Sequence, residues 1–147
     1  MTTSLNLLLA DDDTDDCFLF EEALGELQVP ANLGIVHDGV QLMRLLTAEG
    51  KSLPDTVFLD LNMPLKSGFE CLTEIMSHEK LRKLPVIIFS TSLDMDVVDL
   101  LYQHGARYYI RKPGEFEKLK KVILDAVERI SQNDLPQPGR DQFILQP

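Results

Sequence analysis

The sequence predicts an α/β domain, a doubly wound five-stranded parallel sheet with helices on both faces. Two observations carry this. Short apolar runs alternate strictly with longer stretches whose apolar residues fall at helical spacing. There are five such strand–helix units between Leu5 and Ile130, without low-complexity sequence or long repeats, and alternation at that spacing implies parallel strands joined by helical crossovers.

Leu5 to Ala10 is an apolar run ending in Asp11-Asp12-Asp13, a buried first strand. Thr14 or Asp13 can cap the helix behind it, whose apolar positions include Phe18, Phe20, Ala23, Leu24 and Leu27, and Val29-Pro30 ends it. Leu33-Gly34-Ile35-Val36 is a second strand, weakened by its glycine. Asp38-Gly39 turns into a helix carrying Leu42, Met43, Leu45 and Leu46, closed by Gly50. Thr56 to Leu59 is the third strand, and it delivers Asp60 at its carboxyl end.

After Pro64, Ser67 and Glu70 stand at the spacing of a capping box, and Phe69, Leu72, Ile75 and Met76 mark the helix that follows. Pro85 opens the fourth strand, Val86 to Phe89, which hands over to Ser90-Thr91-Ser92. The next helix shows Val97, Val98, Leu100, Leu101 and Tyr102, with Gly105 as its stop. Arg107 to Ile110 is the fifth strand, and Lys112-Pro113-Gly114 leads into a last helix with Leu119, Ile123, Ala126, Val127 and Ile130 on one face.

Composition narrows the function classes. The chain has 147 residues, 44% hydrophobic and 26% charged, in the range of one globular domain. A net charge of −10 argues against nucleic acid as a direct partner, because phosphate backbones need a basic patch. Cys17 and Cys71 are too few for a disulfide scaffold and read as buried free thiols of a reducing compartment. Met1 to Ala10 has neither a basic leader nor an apolar span long enough for a membrane, so a cytoplasmic protein is expected.

Sites in open parallel sheets form outside the carboxyl ends of the strands, at the switch point of the winding. There this chain places Asp11 and Asp12, His37 and Asp38, Asp60, Ser90 and Lys112. In a 2-1-3-4-5 strand order the first and third strands are neighbours, and Asp11, Asp12 and Asp60 converge. Three carboxylates in one crevice repel unless a cation joins them, and hard oxygen ligands of this kind suit Mg²⁺. With a hydroxyl from Ser90 and a fixed charge from Lys112, the set describes phosphoryl transfer, and Asp60 is the candidate nucleophile.

These residues resemble a known family. Asp11-Asp12, Asp60 with Met63-Pro64 and Gly68, Ser90 after Phe89, and Lys112-Pro113 look like the receiver domain of bacterial two-component response regulators, over about residues 5 to 130. The resemblance implies a flavodoxin-like fold and a receiver at residues 4–131, with 132–147 a C-terminal tail and no second domain. It implies that Asp60 takes a phosphoryl group from a sensor histidine kinase, and that Asp11, Asp12, Asp60 and the Asn62 carbonyl hold Mg²⁺. It implies that Lys112 contacts the phosphoryl oxygens, that the Lys112–Pro113 bond is cis, that Ser90 moves in to hydrogen-bond the phosphoryl group, and that Tyr109 is the switch aromatic. Leu61-Asn62-Met63-Pro64 and Phe89-Ser90-Thr91-Ser92 look most like stand-alone receivers serving phytochrome-type kinases. The chain is then a self-phosphorylating and self-dephosphorylating switch rather than a classical enzyme. Its output passes by protein contact, onward to a histidine phosphotransfer protein or through the face of helix four, strand five and helix five. A homodimer across that face is expected, with no nucleic acid and no membrane partner.

Other readings are weighed against this one. Asp13, Asp15 and Asp16 read as a solvated helix start. Asp11, Asp13, Asp15 and Glu22 sit at calcium-loop positions, but Asp16 stands where that loop requires glycine. Asp11-x-Asp13 also resembles a haloacid-dehalogenase-like phosphatase with Asp11 as nucleophile, although Asp15 replaces the Thr or Val of that motif. A pseudo-receiver that only binds proteins is a third reading. His37, His78 and His104 share no ligand spacing. For the tail, two readings stay open: Phe143-Ile144-Leu145 docks on its own domain or on a dimer, or the end is disordered.

Overall fold

The computed structural model describes residues 4–132 and 136–147. The elements run β1 Leu5–Ala10, α1 Thr14–Glu26, β2 Ala31–Val36, α2 Gly39–Thr47, β3 Thr56–Leu59 and α3 Gly68–Ser77. They continue with β4 Val86–Ser90, α4 Met95–Gln103, β5 Tyr108–Arg111, α5 Phe116–Ser131, a short 3-10 turn at Arg140–Gln142, and β6 Ile144–Leu145.

All strands are parallel, in the order β2-β1-β3-β4-β5-β6. The doubly wound expectation holds, but the sheet has six strands rather than five. The sixth comes from the tail, where the amide of Tyr109 donates to the carbonyl of Phe143 at 3.0 Å and Ile110 pairs with Leu145. Of the two readings left open for the tail, docking on its own domain is the one observed.

Central strands are buried on both faces, which is why β3 and β4 are apolar without alternation. One face carries α1 and α5 over Phe20, Phe58, Phe89 and Ile123; the other carries α2, α3 and α4 over Leu42, Leu59, Leu72 and Ile88. Phe18 does not join the core as its spacing suggested. It is 60% exposed, because Cys17, Phe20, Ala23 and Leu24 define the inward stripe of α1. Both cysteines are free and buried.

Caps fix where the helices begin. Asp13, not Thr14, caps α1 by accepting from the amides of Asp15 and Asp16. Asp38 caps α2, Asp94 caps α4, and Ser67 with Glu70 forms the expected capping box of α3. Strand β2 starts earlier than its glycine suggested, because Ala31 and Asn32 pair with Leu5 and Asn6. Strand β5 lies one residue later than expected, since Tyr108 pairs with Ile87 and Arg111 with Ser90.

Candidate phosphoryl-transfer site

The β1–β3 pairing builds the site. Ala10 and Leu59 are partners in register, so the residues that follow, Asp11 and Asp60, emerge side by side. Backbone bonds lock both: the amide of Asp60 donates to Ala10 at 2.9 Å, and that of Asp11 to Val36 at 3.0 Å. The carboxylate Oδ1 of Asp11 accepts from the amide of Asp13 at 2.9 Å. Lys112 follows β5 and is held to β4 through its amide bond to the Ser90 carbonyl, at 2.7 Å.

Carboxylate oxygens of Asp11, Asp12 and Asp60 lie within 4.8 Å of one another, the first and last buried and Asp12 exposed. Lys112 Nζ stands 2.8 Å from Asp11 Oδ2 and 3.8 Å from Asp60 Oδ2. The closer contact lacks hydrogen-bond geometry, and Asp11 Oδ2 is a buried oxygen without a hydrogen-bond partner. A buried carboxylate oxygen met only by an ammonium, beside two further carboxylates, one open to water, fits a hard divalent cation that keeps part of its hydration shell. The backbone N–H of the exposed Asn62 acts on the Asp60 carboxyl in the direction that favours its charged form.

Burial pushes the Asp60 carboxyl up from 3.8 to about 7; the Lys112 charge opposes this and the Asp11 charge adds to it. For Lys112 burial works against the ammonium, but its contacts with Asp11 and Asp16 and the charge of Asp60 outweigh burial and hold it above its ordinary range. Burial also raises both thiols to about 11, which leaves Cys17 and Cys71 inert.

Gly68 makes the loop after β3 possible. A Cβ there would lie 2.2 Å from the Asp60 carbonyl oxygen, and its amide donates to the Leu61 carbonyl at 2.9 Å. Leu65, in the same loop, holds a left-handed φ of 68°, a strained conformation for a branched residue. Ser90 is fully buried at the end of β4, and its Oγ accepts from the Ser92 amide at 3.3 Å. Tyr109 is fully buried, and its hydroxyl donates to the Ser92 carbonyl. No peptide bond among the described residues is cis, so Lys112–Pro113 is trans, against the expectation.

One residue departs from its sequence reading. Asp16 is not merely a solvated helix-start charge: its Oδ2 accepts a hydrogen bond from Lys112 Nζ at 2.7 Å. His37 is exposed, as a surface residue should be, and its Nδ1 donates to the Asp11 carbonyl at 3.0 Å, bracing the loop after β1. Asp13, the second acid of the phosphatase-like motif, is engaged as a helix cap.

A model of the response regulator receiver domain matches residues 7–124. The probable methanogenesis regulatory protein FilR2 of Methanothrix harundinacea is 32% identical, over 83% of this chain and 81% of its own length. Response regulator Rcp1 of Synechocystis is 31% identical, over 80% and 82%. The crystal structure of the phosphorylated cyanobacterial phytochrome response regulator RcpA superposes with a TM-score of 0.82 at 31% identity, covering 92% of this chain and 100% of that one. The Mn²⁺-bound form of Rcp1 gives 0.76 at 29% identity, covering 92% and 99%. With its acidic pocket and this match over most of its length, the chain belongs to the response regulator receiver domain family.

Proposed function

We propose that the chain is a phosphorylation-dependent response regulator, in which Asp60 accepts a phosphoryl group from the phosphohistidine of a sensor histidine kinase. The observation that supports this best is the placement of Asp60. Its side chain is 8% exposed, lies beside Asp11, and is approached by Lys112 without being hydrogen-bonded to it.

A carboxylate oxygen of Asp60 attacks the phosphorus while the phosphorus–nitrogen bond of the donor breaks, and the electron pair leaves with the imidazole nitrogen. Lys112 pairs with the phosphoryl oxygens as negative charge grows there. A divalent cation held by Asp11, Asp12, Asp60 and the Asn62 carbonyl would neutralise charge on the same oxygens when bound. The Ser90 hydroxyl is placed to donate to the phosphoryl group once it leaves Ser92. Tyr109 holds the carbonyl of that same Ser92, so motion of Ser90 to Ser92 is passed to the aromatic ring. The Mn²⁺ form of Rcp1 and the phosphorylated form of RcpA support both halves of this reading by analogy.

The likeness to RcpA, a phytochrome response regulator, supports a phytochrome-type kinase as donor. Output then goes by protein contact, or onward to a histidine phosphotransfer protein, from α4, β5 and α5. Because β6 occupies the edge of β5, a partner or a second copy docking there meets the tail as well. Acetyl phosphate with Mg²⁺, followed by peptide mapping, tests the assignment. Label on Asp60 is expected; label on Asp11, or turnover of small phosphate esters, would return the site to a phosphatase.

A further inference from the structure

We propose that Asp16 is a positioning residue for Lys112, holding its ammonium off the nucleophile Asp60 so that the pocket stays open for the entering phosphoryl group. This rests on the reading of Asp60 above. Lys112 Nζ has three acidic neighbours: it donates a hydrogen bond to Asp16 at 2.7 Å and is ion-paired with Asp11 at 2.8 Å. Asp60 Oδ2 is 3.8 Å away, beyond hydrogen-bond range. The ammonium itself stands over the Phe89 ring, 5.4 Å from its centroid, a further contact on the side away from free solvent.

Asp16 is itself held. It belongs to the first turn of α1, where Asp13 Oδ1 accepts from its amide at 3.1 Å and from that of Asp15 at 3.0 Å. It therefore pulls from the wall of the crevice formed by α1. Without that pull, the ammonium is held by Asp11 alone, and it can swing from there toward Asp60. There it would mask the attacking oxygen and compete for the carboxylates that face a cation. After transfer, the added negative charge on Asp60 draws Lys112 across.

Three variants test this. Asp16→Asn keeps size and an acceptor but loses the charge that anchors Lys112. Asp15→Asn removes the same charge from an exposed neighbour on the same turn. Labelling by acetyl phosphate at saturating Mg²⁺ should slow about tenfold in D16N and stay within about twofold of wild type in D15N. Mg²⁺ binding gives a second readout, independent of phosphorylation. D16N should weaken Mg²⁺ several-fold more than D15N does, and that excess should vanish in a Lys112→Met background. A purely structural role for Asp16 would leave the excess in place. A D16N protein that labels and binds Mg²⁺ as D15N does overturns the inference alone. A wild type that never takes label on Asp60 overturns the reading of the site and this inference with it.

Discussion

Tyr109 and Phe143 meet across the last pair of strands: the Tyr109 amide donates to the Phe143 carbonyl at 3.0 Å, and their rings lie 6.3 Å apart. The Phe143 ring also stands edge-on to Tyr102 of α4, 5.1 Å away, and is fully buried. Tail contacts extend outward from it, since the Tyr102 hydroxyl donates to Pro138, and Gln137 donates to the carbonyls of Tyr102 and Ala106. The face proposed for output is thus partly built from the tail.

Phe143→Ala should remove a large buried ring from that face and cost about 3 kcal/mol in urea unfolding. Hydrogen exchange should rise at the Tyr109 amide, whose partner is the Phe143 carbonyl of the tail, while the Asp11 and Asp60 backbone stays protected. Unchanged stability would mean that the tail does not hold β5 in solution.

Asp60→Asn should stabilise the metal-free protein, and the gain should depend on pH. Folding raises the carboxyl from 3.8 to about 7, so the wild type has its full stability below pH 4 and loses it as pH climbs through 7. The variant escapes that loss. We expect a gain of about 2 kcal/mol near pH 8 that disappears near pH 4. Equal stabilities at both pH values would remove the strain ascribed to the acidic pocket.

Cation binding follows the same proton. A protonated Asp60 is a poor ligand, so apparent Mg²⁺ affinity should rise with pH up to about 7 and level off above it. Calorimetric titration between pH 5 and pH 8 reads this directly. Asp11→Asn should weaken binding at every pH, by roughly tenfold or more.

Gly68→Ala tests the loop after β3. Its new methyl would meet the Asp60 carbonyl at 2.2 Å, and backbone on both sides must shift. A stability loss of about 2 kcal/mol is expected, with slower labelling of Asp60 than this loss alone explains. Wild-type labelling in a stable G68A protein would show that the loop has slack.

Much of this was legible in the sequence, and the residues show why. Val57, Phe58 and Leu59 announce a strand buried on both faces, and Ser67 with Glu70 announces a helix start, because both signals are local. Asp11, Asp12, Asp60, Ser90 and Lys112 are also local in kind, since each stands just after or at the end of a strand. Asp16 was not legible: its partner Lys112 is 96 positions away, and nothing in its own turn marks it off from Asp15. Nor was β6, a two-residue strand in a proline-rich tail with no period to read. It forms because Phe143 finds a pocket between Tyr102 and Tyr109, which is a tertiary fact. Phe18 erred in the opposite direction, as an apolar residue on a helix whose inward stripe lay elsewhere.

The central claim is that Asp60 carries a phosphoryl group beside a cation shared with Asp11 and Asp12. Fluorine NMR of the protein titrated with fluoroberyllate, a phosphoryl mimic, measures it most directly. The account predicts a bound signal that needs Mg²⁺, weakens strongly in Asp12→Asn, and is absent in Asp60→Asn. A bound signal that persists in Asp60→Asn, or forms equally well without a divalent cation, would contradict it.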